Sequence, residues 1–243
     1  MAARKDKLFL GANRPSGEFD FGAATARVFD DMLQRSVPFY TEIQRMISEL
    51  ACDFARSGTQ VYDLGCSTGA TLLSLAGCLP TDIRLIGIDA SPAMLDEARG
   101  KLAQVACRQL CELQCRDMNQ SIPIEQASVV IMNLTLQFIR PAKRQRLIQD
   151  IAAGLQEGGC LILVEKVLSQ HSLINRLFMA HHEAFKGHNG YDEIEISRKR
   201  EALENVLVPY HDRENEALLL ENGFKSCDSF FRWYNFCGML AVK

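Results

Sequence analysis

The chain has 243 residues, 47% of them apolar and 23% charged, and a formal net charge of −3. This length buries one full core, and the composition belongs to a globular chain rather than to a disordered or fibrous one. The acidic balance argues against direct nucleic-acid binding, since neutralising phosphates takes a basic surface, and no apolar run approaches the roughly 20 residues of a membrane span.

The N-terminal stretch MAARKDKLFLGANRPSGEFD is charged, with only LFL apolar, and no secretory leader is read there. Residues 28–55 read as helical, with apolar positions at Val28, Phe29, Met32, Leu33, Ile43, Met46, Ile47 and Leu50. Val37-Pro38 interrupts that helix, because the residue ahead of a proline avoids the helical region. Beyond Ser57-Gly58 a regular alternation begins: QVYDLG predicts a first strand, residues 70–76 a helix, and RLIGID (84–89) a second strand ending in an acid. Ser91 and Pro92 then open a helix as N-cap and first helical residue, where proline's missing N–H costs nothing. LCELQC and residues 128–133 predict a third and a fourth strand, 141–154 a polar helix, and CLILVEK after Gly158-Gly159 a fifth strand.

Residues 167–210 form a long, largely helical insertion, in which Asp192 and Glu195 have the spacing of a capping box. A helix over 213–222 stops at Gly223, and FKSCDSFFRWYNFCGMLAVK predicts two antiparallel strands with a short link. Strands that alternate with helices and read as continuous apolar runs give an α/β fold, a mostly parallel sheet covered on both faces. We read residues 1–243 as a single such domain, with a helical cap over about 20–56.

Nine cysteines are present. On a strand, Cys111 and Cys115 would stand roughly 13 Å apart, too far to share a metal ion, and Cys107 adds no CxxC pair. Reduced, buried cysteines acting as small hydrophobes are expected, which points to a cytoplasmic compartment.

The turn Gly65-Cys66-Ser67-Thr68-Gly69 follows the first strand, at the sheet end where open parallel sheets bind ligands. It lacks the lysine of a nucleotide phosphate loop and is not G-x-G-x-x-G, although an acid ends the second strand at the distance a dinucleotide ribose requires. Asp63, just ahead of the glycines, suits a cationic amino group better than a pyrophosphate. The run DLGCSTG resembles motif I of the class I S-adenosylmethionine (SAM) methyltransferases. That resemblance implies a Rossmann-like sheet of seven strands, with Asp89 on the ribose hydroxyls, Asp117 and the Met118 backbone on the adenine, and Asn133 at the substrate edge.

The reacting end is unusual for that superfamily. NLTL after the fourth strand lacks a Pro-Pro-aromatic grip, and no His or Lys stands there as a general base. His181-His182-Glu183 lacks the spacing of HExxH, so no metal is expected. Arg198-Lys199-Arg200 reads as mostly solvated surface, with one member free to turn inward onto a carboxylate.

FDDMLQRSVPFY, QVYDLGCSTGATLLS, SPAML, NLTLQF, LVEK and above all NGYDEIEISRKREALENVL resemble the carboxy-S-adenosyl-L-methionine synthase family, from about Phe19 to the C-terminus. The family's usual Asp-Asn after the second strand is Asp89-Ala90 here, which removes one side-chain contact and leaves the backbone N–H. The resemblance implies that Tyr40 meets SAM from the cap, that Gly65, Cys66 and Ser67 line its amino acid portion, and that Arg200 pairs with a new carboxylate on the sulfonium's methyl carbon, in its own or a partner subunit of a homodimer. It further implies prephenate as second substrate. Loss of CO2 and hydroxide from prephenate would supply both the carboxyl group and the base, so no catalytic side chain is assigned. The product, carboxy-S-adenosyl-L-methionine, would serve an enzyme that carboxymethylates the wobble uridine of tRNA. An ordinary small-molecule methyltransferase and a non-catalytic SAM-binding partner are the competing readings.

Overall fold

The computed structural model describes residues 5–10, 19–105 and 110–243. Five apolar runs become neighbouring parallel strands: β1 (Gln60–Leu64), β2 (Arg84–Asp89), β3 (Cys111–Cys115), β4 (Ala127–Asn133) and β5 (Leu155–Leu168). A two-residue β6 (Tyr210–His211) pairs with the end of β5. The terminal hairpin β7 (Ser226–Trp233) and β8 (Phe236–Val242) joins antiparallel, giving the order β3-β2-β1-β4-β5-β8-β7. The expected seven-stranded path is therefore present, with β6 added at its margin.

The strands read as continuous apolar runs because both faces are covered. Tyr62, Leu64, Ile86, Ile88, Val130 and Met132 pack on one side with Leu147, Ile148 and Ile151 of α6 (Pro141–Gly154) and Leu219 of α9 (Asp212–Leu220). Val61, Leu85, Val129 and Ile131 point the other way, onto Ile43 and Ile47 of α3 (Tyr40–Phe54), Leu72 and Leu75 of α4 (Ala70–Ala76) and Leu95 of α5 (Pro92–Leu102). That alternation is the two-residue period of a strand. Burying each such side chain contributes about 1.5–3 kcal/mol.

Local chemistry set several boundaries as expected. Ser91 Oγ accepts from Met94 N at 3.2 Å with Pro92 at the first helical position. The Asp192–Glu195 box closes reciprocally at 2.7 and 3.0 Å, starting α8 (Glu193–Leu203). The helix expected over 28–55 is two, α2 (Phe29–Ser36) and α3, parted at Val37-Pro38 with Phe39 in the left-handed region at φ 53°. The short α1 (Ala23–Ala26) precedes them.

Other boundaries moved. β5 runs from Leu155 to Leu168 instead of starting at 160, because Gly158 at φ 67° lets the strand bend while its pairing skips a step between Ala127 and Val129. The insertion consequently begins past Leu168 and consists of α7 (Ser172–His188), α8 and β6. The described cysteines are not uniformly buried: Cys66, Cys160 and Cys237 are, whereas Cys52, Cys78 and Cys115 are exposed. Cys107 lies outside the described residues.

Gly154, the last residue of α6, has no room for a side chain, since a Cβ there would sit 2.2 Å from the backbone oxygen of Ile124. Gly100 inside α5 has open space around its Cβ position. Gly154→Ala should therefore cost about 1–3 kcal/mol or more, and Gly100→Ala should stabilise by about 0.5–1 kcal/mol. Chemical denaturation of the two variants checks both signs.

Candidate functional site

The strand order reverses beside β1, whose neighbours β2 and β4 lead the chain away in opposite directions. The carboxyl ends of the strands open there into a cavity of about 740 Å³, of a size that takes a nucleoside and an amino acid together. All ten residues named from the sequence line it: Tyr40, Gly65, Cys66, Ser67, Asp89, Ala90, Asp117, Met118, Asn133 and Arg200.

The floor is the turn after β1. Gly65 (φ 80°), Ser67 (47°) and Gly69 (80°) take left-handed conformations, and Gly65 N and Cys66 N donate to Ile88 O. A Cβ on Gly65 would meet Thr135 Oγ1 at 2.3 Å, so this position also lets the β1 and β4 exits touch. Asp89 fastens the turn to α5: its two carboxylate oxygens accept from Ser67 N at 2.9 Å and Ser91 N at 2.8 Å. Each oxygen keeps a second lone pair toward the cavity, which leaves Asp89 able to accept from a diol. Asp117 accepts from Asn119 N and Nδ2, both at 2.9 Å, in a turn that presents Met118. Ala90 sits at the rim next to them.

Among the described residues, the buried side-chain oxygens without a partner include two at this sheet end. Asp63 Oδ2, under the floor, and Asn133 Oδ1, at the end of β4, accept no hydrogen bond. Burial, aided by the Asp89 carboxylate, pushes the Asp63 carboxyl up to about 7. A cationic amino group above the turn would reverse that, so the donor set fits an amino acid head group. The Cys66 thiol is pushed up by burial and by both carboxylates, which keeps it from acting as a nucleophile. Tyr40, at the start of α3, is buried with its hydroxyl accepting from Gln44 Nε2 at 2.8 Å.

The wall beyond Asn133 rests on residues the sequence reading missed. Glu165, fully buried on β5, accepts from Thr135 N, Leu136 N and Gln137 N at 3.0, 2.8 and 2.9 Å. Burial still drives its carboxyl up to about 8, against those three donors. Arg144, 1% exposed, donates to the carbonyls of Ile139, Gln137 and Val208, joining this turn to the end of the insertion. Neither has a local sequence signature: the partners of Glu165 are main-chain groups 28 to 30 residues away, and Arg144 also lies over the ring of Tyr210 at 4.1 Å.

Cap and insertion close the top. Ser36 is their meeting point: its carbonyl faces His182 Nε2 at 2.8 Å and its hydroxyl accepts from Lys199 Nζ at 2.9 Å. In the basic triplet it is thus Lys199 that turns inward, while Arg198 donates to Phe9 O and the half-exposed Arg200 pairs with Glu183 at 2.9 Å. Arg35 does not line the cavity; it donates to the carbonyls of Asn189 and Gly190 and holds the α7–α8 corner. His181 stacks on Tyr234. No cluster of metal-binding side chains occurs among the described residues, and no described helix is long and apolar enough to cross a membrane.

Comparison with known proteins agrees with this geometry. Residues 61–159 match the family model described as "Methyltransferase domain". The carboxy-S-adenosyl-L-methionine synthase of Methylococcus capsulatus is 50% identical over 98% of this chain and 99% of its own, and that of Desulfotalea psychrophila is 42% identical over 100% and 99%. Among solved structures, an O-methyltransferase family protein from Burkholderia thailandensis aligns with a TM-score of 0.67 at 16% identity, over 95% of this chain and 65% of its own. Human N-acetylserotonin methyltransferase in complex with SAM aligns at 0.61 and 14% identity, over 91% and 55%. The two structural likenesses show the class I SAM-methyltransferase fold.

The unpartnered Asp63 makes the free protein's stability depend on pH. Its carboxyl lies near 7 in the folded chain against 3.8 unfolded, so the folded state holds the extra proton between those values. Stability is then fullest below about pH 4 for this group and is lost as pH rises through 7, by up to roughly 4 kcal/mol. Asp63→Asn should flatten that slope, as read from melting temperatures of the ligand-free protein between pH 5 and 8.

Proposed function

This chain belongs to the carboxy-S-adenosyl-L-methionine synthase family and is a SAM-dependent transferase, and from that membership we propose that it converts SAM and prephenate into carboxy-S-adenosyl-L-methionine and phenylpyruvate. The bonds balance within the pair. Prephenate gives up CO2 and its hydroxyl as hydroxide, the hydroxide removes a proton from the sulfonium's methyl carbon and leaves as water, and the CO2 joins that carbon. No external oxidant, metal or side-chain nucleophile enters the account.

The observation that carries this reading is Arg200 at the cavity wall, paired only with the half-buried Glu183. An arginine fork matches a carboxylate bidentately, and an ordinary methyl transfer would give it nothing to hold. In the reading, Asp89 and Ala90 hold the ribose, Asp117 and Met118 the adenine, Gly65, Cys66 and Ser67 the amino acid portion, Asn133 lies near the methionyl end, and Tyr40 meets the cofactor from the cap. The aromatic wall of Phe19, Phe21, Phe29 and Phe138 and the inward face of the insertion keep water from released CO2.

The product would supply the carboxymethyl group for wobble-uridine modification of tRNA by a separate transferase in the cytoplasm, without this chain touching nucleic acid. A homodimer is part of the same proposal: Leu173, Ile174 and Leu177 of α7 stand 42–50% exposed on one stretch of helix, an apolar stripe that a second copy would cover.

Mass spectrometry of the products from SAM and prephenate tests the reading. A species heavier than SAM by one CO2 is expected, and S-adenosylhomocysteine or no product would overturn it. Arg200→Leu should abolish that species, a loss above about 100-fold, while SAM affinity changes less than about threefold. Light scattering should return twice the chain mass of 27.2 kDa.

A further inference from the structure

One end of the cavity gathers more positive charge than its neighbours balance. Lys166 of β5, Lys186 of α7 and Lys199 of α8 all line it, and Lys186 and Lys199 are only 8% and 7% exposed. The three come from three different elements, so helix periodicity does not explain their convergence. Lys199 Nζ reaches only the Ser36 hydroxyl and, at 5.3 Å, the face of Tyr191. Lys166 Nζ and Lys186 Nζ make no hydrogen bond or ion pair with any described residue. Of the acids nearby, Glu183 is already engaged by Arg200, and Glu195, one turn from Lys199, is engaged in the capping box with Asp192. Asp6 approaches Lys199 indirectly, through the hydroxyl of Tyr191, which donates to it at 2.5 Å.

The energetics match an anion site waiting for its ligand. Burial and the like charges beside them push Lys186 down to about 8, and burial, with Lys186 and Arg35 adding to it, pushes Lys199 down to about 7. His182, between them, is pushed down to about 3 by burial and all three lysines, and so stays neutral. Holding ammonium groups this close and this dry costs several kcal/mol unless an anion enters. A fold seeking stability alone would place apolar side chains there.

We propose that Lys166, Lys186 and Lys199 form the subsite for the two carboxylates of the second substrate, and so select a small dicarboxylate over a monoanion. The proposal rests on the two-substrate reading above and assigns to it residues that the sequence pattern left unassigned. Ammonium groups suit this end because each is a compact charge with three rotatable donors, able to follow two carboxylates set at an angle. Arg200, beside them on α8 and paired with Glu183, is left for the carboxylate being made. Binding of the dianion would also return the lysines to full protonation.

The test is calorimetric titration of prephenate into the SAM-loaded protein, alongside SAM affinity and turnover for each variant. Lys186→Met and Lys199→Met should each weaken prephenate binding at least about tenfold, with SAM affinity within about threefold. Phenylpyruvate, with one carboxylate, should bind weakly to all forms. Lys186→Arg should recover most of the loss, which a purely structural lysine would not require. Both methionine variants should melt at or above the unsubstituted protein, since a desolvated charge has been removed. If either fails to fold, Lys166→Gln in the same titration decides the matter. Unchanged prephenate affinity in the variants, or SAM affinity falling in parallel, overturns the subsite. Carboxylated product with an unchanged prephenate KM in the variants sinks the subsite and leaves the reaction. Lysine-dependent prephenate binding without product sinks the reaction and leaves the subsite.

Discussion

The buried carboxylate of Glu165 is the constraint on which the site is built. Three consecutive main-chain N–H groups, from Thr135 to Gln137, converge on it, which fixes the path of the chain as it leaves β4. That path starts with Leu134 in the left-handed region at φ 61°, a conformation a branched side chain adopts only when its surroundings compel it. Thr135 then lies against the Cα of Gly65, and the floor and wall of the cavity meet. Further along, Arg144 and the Val208 N–H, which donates to Gln137 O at 2.9 Å, tie the insertion to the same few residues. One carboxylate thus holds the fold's ordinary half to its unusual half.

Much of this was legible in the sequence, and the legible part is local. DLGCSTG, the acid ending β2 and the Ser91-Pro92 start announce themselves because each is a turn or cap whose chemistry lies within a few residues. The parallel strands and the terminal hairpin followed from apolar runs and their spacing. Glu165, Arg144 and Lys199 were not legible as buried charges, because what satisfies each comes from another part of the chain. Arg35 is equally non-local: a cation near the cap, it donates to carbonyls 154 and 155 residues away. The motif QRSVPFY acquires its meaning only in three dimensions, where Ser36 receives both a histidine and a lysine from the insertion.

The division of labour across the cavity is equally physical. The strand ends present acids and main-chain groups, which suit hydroxyls, an adenine and an ammonium. The insertion presents the ammonium and guanidinium groups of Lys186, Lys199 and Arg200, together with the carboxylates of Glu183, Glu201 and Glu204. Under the proposed reading, a cationic sulfonium would lie nearest the carboxylates of the strand ends and an incoming anion nearest the buried lysines. Two helices inserted between β5 and α9 are enough to impose this polarity on a sheet that elsewhere in the fold class serves methyl transfer.

The position of β8 has a consequence for how the protein is made. The last strand in the sequence lies inside the sheet, between β5 and β7, and Phe236 at its start is part of the cavity wall. During synthesis from the N-terminus, β7 emerges before the strand it pairs with, and the pocket stays open on that side until β8 follows. The ligand then adds its binding free energy to a state that is reached only once β8 has taken its place. Occupancy of this site is in that sense a report that the sheet has closed.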